Sequence, residues 1–328
     1  MTVRVVLADE PGALALAVAA LRRGELVAIP TETVYGLAAL ARDEAAIARV
    51  FAAKGRPKAH PLIVHVVSAS AASTYGIWSS RAEALADRFW PGPLTLVVPK
   101  RDNVSALVTG GGDSVALRAP RHPIARSILE LLGEAFVAPS ANRYQSISPT
   151  RAEHVAASLA NAPVDVLVLD GGSCSEGLES TVVDVRGPTA RILRPGMISR
   201  EEVAEALGAD VEAGPLVMAA GAARASPGMD ERHYAPRAKL ENVASRAAAI
   251  ARAAAAGEHA VRVSFGVGEG AVSLTADAAG ASRELSALLH RLDAAGATHV
   301  IVEKPPEGGA WDALRDRLSR AAALPGES

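Results

Sequence analysis

Aromatic side chains are scarce, at 3% of 328 residues. A core without them must be filled with Ala, Val, Leu and Ile, and the balance of 49% hydrophobic to 21% charged residues suits a chain that buries a large core. Cysteine occurs once, as Cys174, so no internal disulfide can form and a reducing compartment is expected. Cys174 itself reads as a small packed residue. No apolar run approaches the ~20 residues of a membrane-spanning helix, and the opening MTVRVVLADEPGALA has no long apolar segment of the kind a secretory signal carries. The expectation is a cytoplasmic protein without membrane association.

Charge of one sign is lacking as well. The formal net charge is −2, with 21 basic and 21 acidic residues up to position 208 and 13 and 15 beyond it. Neither part has the basic excess that phosphate neutralisation on nucleic acid demands, although net charge leaves open where charges cluster on a folded surface. No G-x-x-x-x-G-K-[ST] phosphate loop is present, and GVGEGA (266–271) lacks the glycine spacing of a dinucleotide fingerprint. Eight histidines show no H-E-x-x-H pattern and there is no C-x-x-C, so no metal held by protein side chains is expected.

What is present suggests two domains, from length and from pattern. Eight β-rich runs alternate with Ala-rich helical patterns: VRVVL (3–7), LVAIP (26–30), LIVHVV (62–67), LTLVV (94–98), VALRA (115–119), VLVLD (166–170), TVVDV (181–185) and ARILR (190–194). Helices are expected near 11–23, 43–54, 80–89, 123–132, 150–160 and 199–207, the last opened by Ser199 with Glu202 three residues on and closed by Gly208. From 209 to 240 the pattern dissolves into Gly, Ala and Pro, which reads as a linker or a cover over a site. The acidic pair Asp230 and Glu231 lies within it. Beyond, helix 242–256, strand 259–265, helix 281–295, strand 298–303 and helix 310–323 predict a small parallel α/β unit. The expected division is therefore 1–208, 209–240 and 241–328.

Four loop or strand-end segments combine small hydroxyls with cations. PTETVYGLA (30–38) follows a strand and offers Thr31 and Thr33, where open α/β sheets bind ligands; taken alone, T-E-T reads first as an N-capped helix start. KGRPKAHPL (54–62) sets Lys54, Arg56 and Lys58 around Gly55 and Pro57, using two of only five lysines in the chain, and His60 and His65 flank the next strand. Such clustered charge suits an oligophosphate, or a solvated helix end. APSAN (138–142) and SPT (148–150) supply Ser140, Asn142, Ser148 and Thr150, and ESTVVDV (179–185) supplies Ser180 and Thr181. Arg118 inside a β-run needs an anionic partner, from a ligand or from a carboxylate of the protein, and Arg194 ends another strand.

Together with PGPLT (91–95), RAP (118–120) and LRPG (193–196), these strings resemble the threonylcarbamoyl-AMP synthase family, over about residues 8–207 and in the family's order. HYAP (233–236) and the α/β tail resemble its two-domain version. The resemblance implies a twisted mixed-sheet YrdC-like domain with a concave groove, followed by a small Rossmann-like parallel α/β domain. It implies that L-threonine, bicarbonate or CO2, and ATP with Mg2+ are converted to threonylcarbamoyl-AMP and pyrophosphate. The product would pass to a tRNA threonylcarbamoyl transferase complex. By the same resemblance Thr33, His65, Arg118, Ser140 and Ser180 hold L-threonine. Lys54, Arg56, His60, Ser114, Asn142, Thr150, Arg194 and Tyr234 meet ATP, with Ser148 the alternative to Thr150. Lys54, Arg56 and Arg194 would stabilise charge in the transition state. The alternatives are a non-catalytic binder of double-stranded RNA or tRNA and a carbamoyltransferase using carbamoyl phosphate.

Overall fold

The computed structural model describes residues 2–214, 226, 232–268 and 270–323. The first unit is a mixed sheet of eleven strands among the described residues. In chain order these are β1 (Val3–Leu7), β2 (Leu26–Ile29), β3 (Gly36–Leu40), β4 (Ile63–His65), β5 (Leu94–Pro99), β6 (Ser114–Arg118), β7 (Phe136–Val137), β8 (Val166–Asp170), β9 (Thr181–Asp184), β10 (Ala190–Arg194) and β11 (Val211–Ala213). Their spatial order is β1-β8-β2-β3-β7-β4-β6-β5-β9-β10-β11. Strands β2, β3, β4, β6 and β9 are buried along their whole length, as expected for a sheet covered on both faces.

The covering helices follow their local chemistry. Pro123–Leu132 starts with Pro at its first turn, ends on Gly133 at φ 68°, and buries Ala125, Ile128, Leu129 and Leu132, which recur at helical spacing on one face. Glu44–Lys54 is capped by Asp43, whose carboxylate accepts from Ala46 N, and its end delivers Lys54 beneath the sheet's loops. Helix Arg200–Leu207 carries the full reciprocal capping box between Ser199 and Glu202.

The second unit is a four-stranded parallel sheet, β12 (Lys239–Val243), β13 (Ala260–Phe265), β14 (Val272–Leu274) and β15 (His299–Glu303), in the order β12-β15-β13-β14. Three expectations shift. PTETVYGLA does not open a helix, because Gly36–Leu40 pairs antiparallel with β2. The start expected for helix 242–256 belongs to β12, whose five residues pair with β15, and the helix begins at Arg246 after the cap Ser245. The segment read as a linker from 209 to 240 is shorter at both ends, since β11 pairs with β10 and β12 begins at Lys239. Asp230 and Glu231 lie outside the described residues.

The units meet along helices Ala278–Ala294 and Asp312–Ala322. Ser286 Oγ donates to the Gly177 carbonyl at 3.2 Å, and His290 stacks on His154 with ring centroids 3.9 Å apart.

Candidate active site

A cavity of about 540 Å³, its open mouth included, lies where the ends of β2, β4, β6, β9 and β10 converge. Thr33, His65, Arg118, Ser140 and Ser180 all line it, together with Arg56, Arg194 and Tyr234. Eight residues placed there from strings far apart in the chain thus share one wall.

The turn between β2 and β3 is shaped by its own hydroxyls. Thr31 Oγ1 donates to the Val34 carbonyl at 2.6 Å and accepts from the Thr33 and Val34 amides at 3.2 Å. Its proton being spent there, the 2.9 Å contact with Thr33 Oγ1 has Thr33 as donor. Thr33 Oγ1 in turn accepts from Arg118 Nη1 at 2.9 Å.

Arg118 finds its anion inside the protein. Its Nη2 donates to Glu32 Oε1 at 2.7 Å, with both side chains almost fully buried, and Nε reaches the Gly92 carbonyl at 3.3 Å. Glu32 also accepts from the Arg121 and His122 amides. Burial alone would raise its pKa; the Arg118 guanidinium overcomes this and holds the carboxyl at about 2. The carboxylate fixes the guanidinium in place without using all five of its donors. His65 is neutral: burial first, and Arg118 beside it, lower its pKa to about 3. Its Nδ1 lies 3.3 Å from the Ile63 carbonyl, which can only accept, so Nδ1 carries the proton and Nε2 is left as an acceptor. The ring is stacked on Phe136.

Ser180 Oγ sits between Thr95 Oγ1 at 2.7 Å and Arg194 Nη2 at 3.0 Å, and Arg194 Nε donates to the Ser180 carbonyl at 3.1 Å. Arg56 Nη2 donates to the Pro61 carbonyl at 3.0 Å. Lys54 differs from its expected place, for it does not line the cavity. Its Nζ donates to the Ser140 and Asn142 carbonyls at 2.5 and 2.6 Å, so it holds the P-S-A-N loop from behind. Burial first and Arg56 second push its pKa well below the usual lysine range.

His60, Ser114, Asn142 and Thr150 are buried but do not line this cavity. His60 packs edge-on against Tyr144, and Ser114 opens β6 opposite Pro99. Thr150 faces His154 and lines a separate cleft between the units, with Arg151 and Arg283. Ser148, the alternative, is spent on Glu179. Asn142 Nδ2 donates to the Arg143 and Ser146 carbonyls, while its buried Oδ1 has no hydrogen-bond partner among the described residues.

The motifs did not single out Glu32, Glu179, Thr95, His233 or Arg317. Glu179 lines the cavity, and His233 closes it beside Tyr234 with ring centroids 4.0 Å apart. Tyr234 adopts φ 61°, which is uncommon for a tyrosine. Glu32 and Glu179 belong to quoted strings, but nothing in a string says that a carboxylate will be clasped by an arginine distant in sequence. Among the described residues no cluster of three His, Cys, Asp or Glu could hold a metal ion.

Residues 19–196, more than half of the chain, match the Sua5_yciO_yrdC family model, described as telomere recombination. Residues 198–323 match the model for the C-terminal domain of threonylcarbamoyl-AMP synthase. The chain belongs to this two-domain family. It is 45% identical over 222 residues to a threonylcarbamoyl-AMP synthase of Pyrococcus abyssi and 41% identical over 237 residues to one of Bacillus subtilis. These alignments cover 67% and 69% of the chain, and 64% and 65% of the relatives, just under two thirds of their length. The crystal structure of P. abyssi Sua5 complexed with L-threonine superposes with a TM-score of 0.88 at 36% identity, over 98% of both chains.

Proposed function

We propose that this protein is a nucleotidyltransferase that makes threonylcarbamoyl-AMP from L-threonine, bicarbonate or CO2, and ATP, and acts in the cytoplasm. The observation that carries this reading is the meeting of three buried arginines, a neutral histidine and three hydroxyls on one cavity wall. That donor set suits a small zwitterion beside an anionic phosphate chain. The naming of the related synthases and the threonine complex of the P. abyssi protein agree with it.

In this reading Arg118, held by Glu32, takes the threonine carboxylate, and His65 Nε2 accepts from its amine or hydroxyl. Thr33, Ser140 and Ser180 fix the rest. The amine adds to CO2, forming an N–C bond and releasing a proton. A carboxylate oxygen of that carbamate then attacks the α-phosphorus of ATP, and the bond to the bridging oxygen of the β-phosphate breaks to release pyrophosphate. Charge grows on phosphate oxygens, where Arg56 and Arg194 stabilise it, so the protein acts by positioning and electrostatics. Lys54 keeps Ser140 and Asn142 in register from behind the wall. Asn142 Oδ1, without a partner among the described residues, is an acceptor left for the nucleotide. His60, Ser114 and Thr150 border the ATP further from the cavity. Glu32 and Glu179 are each engaged by an arginine, so magnesium enters as the counter-ion of ATP and not as a resident metal. Tyr234 and His233 cover a carbamate and a mixed anhydride that water would destroy. The product passes to a tRNA threonylcarbamoyl transferase complex. No observation of its own favours a non-catalytic RNA binder.

Incubation with ATP, magnesium and bicarbonate, with L-threonine, L-serine or neither, tests this by mass spectrometry. Threonylcarbamoyl-AMP should appear with threonine alone. Arg56→Ala should lower turnover about 10²- to 10³-fold, the loss typical of removing one donor to a developing anion. A folded wild-type protein that forms no product, or an Arg56→Ala protein with unchanged turnover, contradicts the assignment.

A further inference from the structure

Glu179 is the one carboxylate that lines the cavity among the described residues, and it shares that lining with the cations Arg56, Arg118 and Arg194. An unbalanced negative charge there would repel any phosphate ligand. Arg194 of the first unit acts on it through space, but its hydrogen-bonded counter-ion comes from the other unit. Arg317, on helix Asp312–Ala322, is 2% exposed and donates from Nε to Glu179 Oε2 at 2.7 Å. The same guanidinium lies over the ring of Tyr234, with Cζ 4.7 Å from the centroid. Nη1 is fixed by Asp316 Oδ2 at 2.6 Å. One turn further along this helix, the Arg320 carbonyl accepts from His233 N at 3.2 Å. Both residues that cover the cavity are thus gripped by one helix of the C-terminal unit.

We propose that Arg317 is a positioning residue for the nucleotide side of the site. It cancels the charge of Glu179 and seats Tyr234, whose left-handed backbone conformation is held by these contacts. The C-terminal unit therefore completes the phosphate subsite of the first unit by supplying a charge without touching the ligand. This rests on the reading of the cavity as an ATP and threonine site.

The experiment uses the full chain with Arg317→Gln, Arg317→Lys, Glu179→Gln and the double variant Glu179→Gln/Arg317→Gln, measuring ATP and L-threonine affinities by calorimetry and the KM for ATP against kcat. Arg317→Gln should weaken ATP binding about ten- to hundredfold, as a buried carboxylate loses its partner, while threonine affinity stays within about twofold. Arg317→Lys should restore part of the loss. Adding Glu179→Gln to Arg317→Gln should recover ATP affinity, because the repelling charge is gone, whereas a purely structural role predicts further loss. Should Arg317→Gln not fold, the neutral double variant and Arg317→Lys read the same question. Wild-type ATP affinity in Arg317→Gln, or no recovery in the double variant, overturns the inference. A wild-type protein that binds neither ligand overturns the proposed function instead.

Discussion

In the proposed function, the threonine side of the cavity draws its wall from strand ends and turns of the first sheet, whereas the nucleotide side borrows His233 and Tyr234 from the linker and Arg317 from the C-terminal unit. On the threonine side the anchoring groups are held within the first unit, in the chain Glu32–Arg118–Thr33–Thr31–Val34. Such a wall is preorganised before any ligand arrives. The other side depends on how the two units dock, so its geometry is only as firm as that interface. On that reading the difference separates binding of the small substrate from capture of the nucleotide, and each should be open to disturbance without the other.

The largest effect should come from breaking the threonine side at its centre. Arg118→Ala leaves Glu32 buried, with backbone amides such as those of Arg121 and His122 as its partners and no arginine. Urea unfolding should show a loss of about 3–5 kcal/mol, the usual cost of removing one member of a buried ion pair. Threonine affinity should fall about thirtyfold or more, one charge-assisted hydrogen bond being worth ~2 kcal/mol. A variant within about 1 kcal/mol of the wild type, below the usual cost of stranding a buried charge, would mean that Glu32 does not need this arginine.

This same contrast governs how much was legible. All eight β-rich runs became strands, because short runs rich in Val, Leu and Ile between helical patterns leave little else to form. Two-residue β7 and three-residue β11 and β14 carry too little pattern to be read, and β12 was absorbed into an Ala-rich helix whose cap, Ser245, lies inside the stretch. In the site, hydroxyls and cations in short quoted strings were visible. The pairing of Glu32 with Arg118 and of Glu179 with Arg317 was not, since the partners are 86 and 138 positions apart. Lys54 shows the opposite limit: the motif marked it, but its direction, beneath the loop instead of into the cavity, depends on the tertiary placement of Ser140 and Asn142.

Acid sharpens the comparison next. His65 is neutral in the fold with its pKa lowered from 6.5 to about 3, Arg118 adding to the depression and Glu32 opposing it. A lowered folded value means that protonation favours the unfolded chain. The stabilisation is complete above pH 6.5 and is lost as pH falls towards 3. From pH 7 to pH 5 this one residue should remove about 2 kcal/mol. Glu179, held at about 2 against an ordinary 4.5, contributes in the same direction only at lower pH. His233 and His154, lowered first by burial, act in the same upper window, so the difference between the wild type and His65→Gln is what isolates His65. Denaturant titrations of the wild type and His65→Gln at the two pH values should differ in slope by that amount. Equal slopes would show that His65 is not held neutral.

The smallest and most selective perturbation is at the docking surface. Gly177 has φ 75°, and a Cβ there would lie 2.6 Å from Arg283 Cα and 2.7 Å from its carbonyl oxygen, in the helix Ala278–Ala294. Gly177→Ala therefore costs about 1–2 kcal/mol for the left-handed backbone, and the helix must move away as well. Because Arg317 sits on the adjoining helix, ATP affinity should fall about five- to tenfold, roughly the free energy of that strain. Threonine affinity should change less, since Glu32, Arg118, Thr33 and His65 make their bonds inside the first unit. Calorimetry of both ligands on one preparation decides the matter. Equal losses would mean that the segment from Gly177 to Ser180 transmits the displacement to Ser180, and the two sides would then be a single unit whose threonine wall also requires the docked helix.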